Sequence, residues 1–438
     1  MPNLSIQLLQ ALKAWRKAKA WHVAFSGGLD STVLLHLLVQ LRQTHSLPPI
    51  TAVHVHHGLQ ATADAWPAHC QALCDELNVP LQVIRVQVQP GASLERAARE
   101  ARYQAFVACT RADEVLLTGQ HRDDQAETVL FRLLRGAGVN GLAGMPRQRR
   151  LGQGSLCRPL LDVSRAELEA YAHDQRLTWV EDPSNSQTNF SRNYLRHEVL
   201  PVLERRWPQA TTTLARNADH CAEAQGLLSE LAEQDLQAAV SPTAFDWLGV
   251  PSLELAPLAR MSPARQRNAL RHWLNAFSPM PDTEHWAGWE TLRDAREGAQ
   301  PIWRLAGGEM HRASGRVWWL SGDWLKPPVA PGLWMQPQHP LVLPGNGLLN
   351  LHGEIPAGSV QVSYRQGGEV MELAQRGHRD LKRLLNERGV PLFARGRLPL
   401  VSVNEQLLAV ANVPGLDSSP CGRWKLQWLP TSSDQGLS

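Results

Sequence analysis

The sequence predicts an α/β fold: a Rossmann-like parallel sheet with helices on both faces, followed by a helical middle domain and a small α/β C-terminal domain. Three observations carry this expectation. Four apolar runs (22–25, 50–57, 81–88 and 114–119) alternate with helical patterns in the first 210 residues, as βαβ units do. A glycine pair follows directly on the first run, at a strand-to-helix junction where such sheets bind ligands. Beyond residue 210 the alternation gives way to helical periods over 214–240 and 263–277.

Each element has its own signal. The N-terminal stretch is amphipathic, with Lys13, Arg16, Lys17 and Lys19 following its apolar residues. It shows no small-residue cleavage site, so it reads as a helix packed on the first domain rather than a secretory signal. Helices are expected from Ser31 to Gln40, near 63–77 and over 93–110. Ser164-x-x-Glu167 is a capping box opening a helix to about Gln175. A basic helix follows Ser191 and runs to Trp207-Pro208. Residues 326–345 hold six prolines and read as a linker. Short strands around a helix near 379–388 make a third unit, and the final TSSDQGLS reads as a disordered tail. The expected domains are 1–210, 211–325 and 340–430.

Composition bounds the function classes. A chain of 438 residues suggests about three domains at ~150 residues each. Hydrophobic residues make up 43% and charged residues 19%, a globular balance. No apolar run reaches the length of a membrane span. The net charge of +3 neither demands nor excludes nucleic acid, so local distribution decides. The six cysteines form no CxxC pair. They read as reduced cytoplasmic thiols rather than a zinc site or disulfide framework.

The glycine pair belongs to Ser26-Gly27-Gly28-Leu29-Asp30-Ser31. Glycines let backbone N–H groups approach anionic oxygens, and the following helix N-terminus favours negative charge. Ser26 and Ser31 add hydroxyl donors. Asp30 repels bare phosphate but suits a Mg²⁺ bridging the phosphates. GxxxxGK[ST] is absent, which disfavours γ-phosphate transfer. The bland alternative is a glycine turn with an ordinary N-cap. The hexapeptide resembles the PP-loop of the N-type ATP-pyrophosphatases, which implies an ATP-cleaving domain without fixing its substrate.

Other residues are candidates for the same chemistry. Asp124 and Glu127 are three apart at a helix start and share a face. Two carboxylates there can hold Mg²⁺ or an ammonium group, or simply complement the helix dipole. Glu95, Arg99 and Arg102 line one face of the 93–110 helix, suited to phosphate or carboxylate oxygens or to a solvated ion-pair face. His54 and His56 fall on one face of their strand and His57 on the other. Without a nearby cysteine or carboxylate, they suggest a nucleotide-pocket wall at His57-Gly58 rather than zinc. Arg192 and Arg196 share a helical face and are candidates for contact with RNA phosphate or AMP. Residues 376–397 hold seven basic and two acidic residues. Arg376, His378, Arg379, Lys382, Arg383, Arg388, Arg395 and Arg397 therefore read as a backbone-binding patch. Most tryptophans lie after residue 200 and read as core.

These motifs, in this order and at this spacing, resemble the tRNA(Ile)-lysidine synthetases. The matching segments are His54 to Leu59, Glu95 to Tyr103, Gly119 to Thr128, Arg135 to Gly138, Arg158 to Leu161, Glu181 to Asn185, Arg192-Asn193 and Leu195-Arg196. The resemblance covers the first 210 residues and resumes over 364–399. It departs at Gln60, where many relatives carry arginine. It implies ATP and Mg²⁺ as cofactors, and an isoleucine tRNA with a CAU anticodon and free L-lysine as partners. Adenylation of the wobble cytidine at its C2 oxygen and displacement of AMP by the lysine ε-amine would follow. Asp30, Asp124 and Glu127 are the expected catalytic set. A tRNA thiolase, a small-molecule ligase and a tRNA-binding protein without turnover are the rivals. The first needs catalytic cysteines, the second has no use for the basic third unit, and the third has no use for complete phosphate and carboxylate motifs.

Overall fold

The computed structural model describes residues 4–58, 64–88, 94–189, 191–279, 285–296, 298–373, 377–419 and 421–431. The chain divides into two compact units, 1–226 and 227–438.

The first unit is built on a six-stranded sheet. In chain order its elements are α1 (Leu4–Ala11), β1 (Ala20–Ala24), α2 (Leu29–Thr44), β2 (Ile50–His56), α3 (Trp66–Glu76), β3 (Leu81–Arg85), α4 (Leu94–Cys109), β4 (Glu114–Leu117), α5 (Arg122–Leu134), α6 (Val139–Leu142), β5 (Gln148–Leu151), β6 (Gly154–Cys157) and α7 (Arg165–Asp174). The strand order is β3-β2-β1-β4-β6-β5. All neighbours are parallel except the edge strand β5, which forms a hairpin with β6. Trp21 and Val23 of β1 are fully buried, as expected of a central strand covered on both faces. Val33, Leu34, Leu35, Leu37 and Leu38 of α2 are also fully buried, so this helix is apolar nearly all round and lies in the interior. The chain goes from β1 to β2 and β3 on one side, then returns to place β4 on the other. β1 and β4 therefore flank the switch point where open α/β sheets hold ligands. Ser164 caps α7 by accepting from the Glu167 amide at 3.2 Å, as the capping box requires.

The second unit is richer in strand than its helical period suggests. Helices Pro263–Leu274 and Trp286–Asp294 accompany an antiparallel sheet of Ser252–Glu254, Arg316–Leu320, Gly308–Ala313 and Ile302–Leu305. These strands are short and carry little periodic signal. The C-terminal part is mainly antiparallel sheets with two short helices, Leu381–Glu387 and Leu392–Arg395. The proline-rich 326–345 stretch is packed rather than a free linker. Gly332–Leu333 pairs with Val360–Ser363, Leu341–Leu343 pairs with Gly347–Gly353, and Trp334 is buried. Its prolines sit where no ladder hydrogen bond is required of them. Trp318, Trp324 and Trp428 lie in this unit's core. Residues 432–438 of the final tail lie outside the described residues.

Candidate active site

The site begins where β1 ends. Phe25 continues the strand by donating its amide to the Val53 carbonyl at 2.8 Å. The chain then turns through Ser26, Gly27 and Gly28 into α2. Gly27 has φ +83°, and a Cβ there would lie 3.0 Å from Cys70 Sγ, so both conformation and space call for glycine. The Ser31 hydroxyl donates to the Gly28 carbonyl at 3.0 Å and lies 3.1 Å from Ser26 Oγ. Val180 braces the loop by donating its amide to the Gly27 carbonyl at 2.9 Å. The loop thus presents the N-terminus of a 16-residue helix, a ready cradle for phosphate. Leu29 turns into the core, so only its backbone can serve a ligand. Beneath the loop, burial pushes the Cys70 thiol up to about 12.

β2 supplies a second wall. His54 donates from Nδ1 to the Phe25 carbonyl at 2.9 Å, and His56 Nε2 lies 3.2 Å from Asp64. Both rings are buried and tie structure together. Among the described residues no cluster of three metal-ligating groups forms. His57 is half-buried, and its Nδ1 is buried without a partner. Burial, with Arg102 nearby, holds its pKa below the usual histidine value. Gly58 follows at φ +63°.

The third wall comes from the end of β4. A Cβ on Gly119 would lie 3.0 Å from the Asp30 carbonyl carbon and 3.1 Å from the Ser31 amide. Glycine there lets β4 press against the start of α2. Two residues on, His121 is fully buried with three carboxylates around its ring. Asp30 Oδ1 lies 3.6 Å from Nε2, Asp124 Oδ2 3.5 Å from Nε2, and Asp123 Oδ2 3.5 Å from Nδ1. Burial opposes a charge on this ring, but the three aspartates outweigh it and raise its pKa. The motif containing His121 was legible in sequence, but its central position was not. Burial raises the Asp30 pKa against the pull of His121.

α5 then presents Asp124 and Glu127, and the arginines meet them. Arg196 donates from Nε to Glu127 Oε1 at 2.5 Å and from Nη2 to Asp124 Oδ1 at 2.9 Å. Arg192 Nε lies 3.3 Å from Glu127 Oε2, and its Nη2 donates to Thr128 Oγ1 at 2.9 Å. Glu127 is 1% exposed, and burial raises its pKa despite Arg196. Arg196 lies in a π-helical segment, Leu195–Val199, inside the helical run from Ser191 to Arg206. Pro201 lacks the amide that the His197 carbonyl would need in an α-helix, and Leu200 donates to Leu195 instead. Such bulges recur at functional sites. The guanidiniums meet this unit's own carboxylates, beside the phosphate loop's Asp30 and His121.

Arg99 is exposed and Arg102 half-buried on α4. The side chain of Glu95 lies outside the described residues, as does Arg376. In the second unit the basic segment splits. His378, Arg379, Lys382 and Arg383 are exposed, and Arg388 is half-buried. Arg395 and Arg397 are 7% and 4% exposed, which removes them from the expected surface patch. Arg395 donates to the Val390 carbonyl at 2.8 Å. Arg397 donates to the Asp323 carbonyl at 2.9 Å, to the Lys326 carbonyl at 2.5 Å, to Asn346 Oδ1 at 3.0 Å and to the Gly345 carbonyl. They hold loops together.

Three family models match the chain, one in the first unit and two in the second. The PP-loop domain model matches residues 1–203, the TilS substrate binding domain model 253–318, and the TilS substrate C-terminal domain model 360–428. A tRNA(Ile)-lysidine synthase of Pseudomonas fluorescens (strain Pf0-1) is 64% identical over 435 residues, covering 99% of this chain and 98% of that protein. The Pseudomonas aeruginosa protein of the same name is 61% identical over 438 residues, covering 99% of each chain. The Escherichia coli O157:H7 protein is 41% identical over 400 residues, covering 89% of this chain and 91% of that one. Among solved structures, a U34-tRNA thiolase from Methanococcus maripaludis aligns over 50% of this chain and 78% of its own, at 17% identity and a TM-score of 0.42. With full-length relatives at this identity and three matching domain models in order, the chain belongs to the tRNA(Ile)-lysidine synthase family.

Proposed function

We propose that this enzyme ligates free lysine to C2 of the wobble cytidine of an isoleucine tRNA with a CAU anticodon, through an adenylated cytidine. Family membership supports lysidine formation on tRNA with ATP. The observation that carries the finer reading is the meeting of the Ser26–Ser31 loop with the Asp30, His121, Asp124 and Glu127 cluster at one sheet switch point.

In the first step the cytidine C2 oxygen attacks the α-phosphorus of ATP. The bond to the β-phosphate breaks and pyrophosphate leaves. The amides of Gly27, Gly28 and Leu29 and the hydroxyls of Ser26 and Ser31 hold the leaving group and offset its charge. In the second step the neutral lysine ε-amine attacks C2, the C2–O bond breaks, and AMP leaves with that oxygen. The amine has a reference pKa of ~10.4 and must first give up a proton. Asp124 is the better placed acceptor, because Glu127 is buried between Arg192 and Arg196. Glu127 then acts by positioning Arg196, which holds Asp124. Holding both substrates in one cleft makes the displacement effectively unimolecular.

The residues fit a magnesium ion. Asp30 Oδ1 is buried without a hydrogen-bond partner, and Asp124 Oδ2 lies beside the same ring nitrogen, His121 Nε2. One or two carboxylates with phosphate and water ligands is the usual magnesium set. Bound there, the ion would neutralise phosphate charge. The first unit's buried thiols do not suit sulfur transfer: burial pushes Cys74 and Cys157 to about 11, far from a reactive thiolate. The remaining exposed basic residues of the second unit, His378, Arg379, Lys382 and Arg383, suit the tRNA backbone. The setting proposed is the cytoplasm, and no described helix is long and apolar enough to cross a membrane.

The test is mass analysis of the wobble nucleoside after incubation with ATP, Mg²⁺, lysine and the CAU transcript. A cytidine gaining lysine minus water is expected, with no product when the wobble base is changed. An unmodified cytidine under conditions where ATP is consumed would refute the assignment.

A further inference from the structure

We propose that Arg99 and Arg149, gathered on Tyr103 and backed by the buried Arg158, form a second RNA-backbone site in the first unit that takes a tRNA phosphate. This rests on the tRNA reading above but concerns residues that reading does not use.

Tyr103 is on α4. The Arg99 guanidinium carbon lies 5.1 Å from its ring centroid, and that of Arg149, on β5, lies 4.9 Å from it. Arg158 follows β6 and is 4% exposed. It donates one Nη1 bond to the Pro146 carbonyl at 2.7 Å, while its Nε is buried with no partner. The Tyr103 hydroxyl faces both Arg149 and Arg158. The β5–β6 hairpin is seated firmly on the end of α4. A Cβ at Gly152 would lie 2.8 Å from Val107, and one at Gly154 would lie 2.6 Å from the Arg111 carbonyl. The three guanidiniums are therefore positioned by packed elements rather than by a loose loop.

Among the described residues no carboxylate forms an ion pair with Arg99, Arg149 or Arg158. A buried guanidinium with a free N–H beside two others is costly unless an anion completes it. Burial works against ionisation of Tyr103, yet Arg99, Arg158 and Arg149 outweigh it and lower the tyrosine pKa, as a strongly positive pocket would. Planar guanidiniums match phosphate oxygens. Arg102, one position before Tyr103 on the same helix, is close enough to His57 at the nucleotide wall to help hold its pKa down, so α4 carries residues of both groups.

The experiment is equilibrium binding of the CAU transcript to the full chain at several KCl concentrations, without ATP or lysine. Arg149 is exposed, so R149A should fold. R149A should weaken binding about 10-fold and lower the slope of log K against log salt by roughly 0.7–0.9, the change for one lost phosphate contact. R149K should keep the slope, and the KM for ATP should not move in either variant. Unchanged affinity and slope in R149A would overturn the proposal. So would a raised KM for ATP with unchanged tRNA binding, which would give the cluster to the nucleotide. Because binding is read without turnover, wild-type tRNA binding without lysidine formation would defeat the functional reading alone.

Discussion

In the first unit, Arg192 and Arg196 direct their guanidiniums at Glu127 and Asp124, carboxylates of the proposed reaction site. In the second, Arg395 and Arg397 direct theirs at backbone carbonyls and have no carboxylate partner among the described residues. The first arrangement stores charge beside a cleft and fixes carboxylates in place. The second turns cations into connectors between loops. Beside Arg395 and Arg397 in sequence, Lys382 remains exposed, and exposed Arg383 meets Glu387 one turn on, its Nε donating to Oε1 at 3.1 Å. A guanidinium's function therefore depends on which acceptors the fold brings to it, and neighbours in one basic segment can differ completely.

The comparison can be broken experimentally, beginning with the largest effect. Removing the Arg196 side chain leaves Glu127 buried with Arg192 alone. R196A should lower unfolding free energy by roughly 3 kcal/mol in urea titrations and abolish product formation. Adding E127Q should return part of the stability but not the activity. If R196A is as stable as wild type, the pair is not a buried ion pair of consequence. In R397A several carbonyls lose their donor, which should cost about 2–3 kcal/mol while tRNA affinity per folded molecule is kept. A stable R397A with weakened tRNA binding would place Arg397 on the RNA surface after all.

Smaller changes sharpen the contrast. G27A forces a side chain into φ +83°, at roughly 1–2 kcal/mol of conformational cost. It should raise the KM for ATP about 10-fold and leave tRNA affinity alone. An unchanged KM would remove the loop from the nucleotide site. K382A and R383A should alter stability by no more than about 0.5 kcal/mol. They should also reduce the salt dependence of tRNA binding, measured over a KCl series. A large stability loss in either would mean that the exposed side chains are structural too.

Much of the first unit was legible because its signals are local. Buried parallel strands read as continuous apolar runs, and the loop glycines follow one directly. The capping box at Ser164 lies within a single helical turn. What escaped was long-range. His121 gains its place only when α2 and α5 converge on it, and Arg196 finds Glu127 across 69 residues of sequence. The Arg149–Tyr103 contact likewise joins an edge hairpin to α4. In the second unit, three- and four-residue strands are too short to show a period, and the proline-rich stretch conceals edge strands. The burial of Arg395 and Arg397 depends on loop carbonyls that no charge count reveals.

The central claim is cleavage of ATP between its α and β phosphates by the Ser26–Ser31 loop, with AMP passing to the tRNA. It is tested most directly by incubating the enzyme with α-labelled ATP, Mg²⁺ and the CAU transcript, leaving out lysine. The account predicts pyrophosphate release, label retained on the tRNA, and loss of that label as AMP when lysine is added. Release of ADP and inorganic phosphate, or pyrophosphate release with no label ever reaching the tRNA, would contradict it.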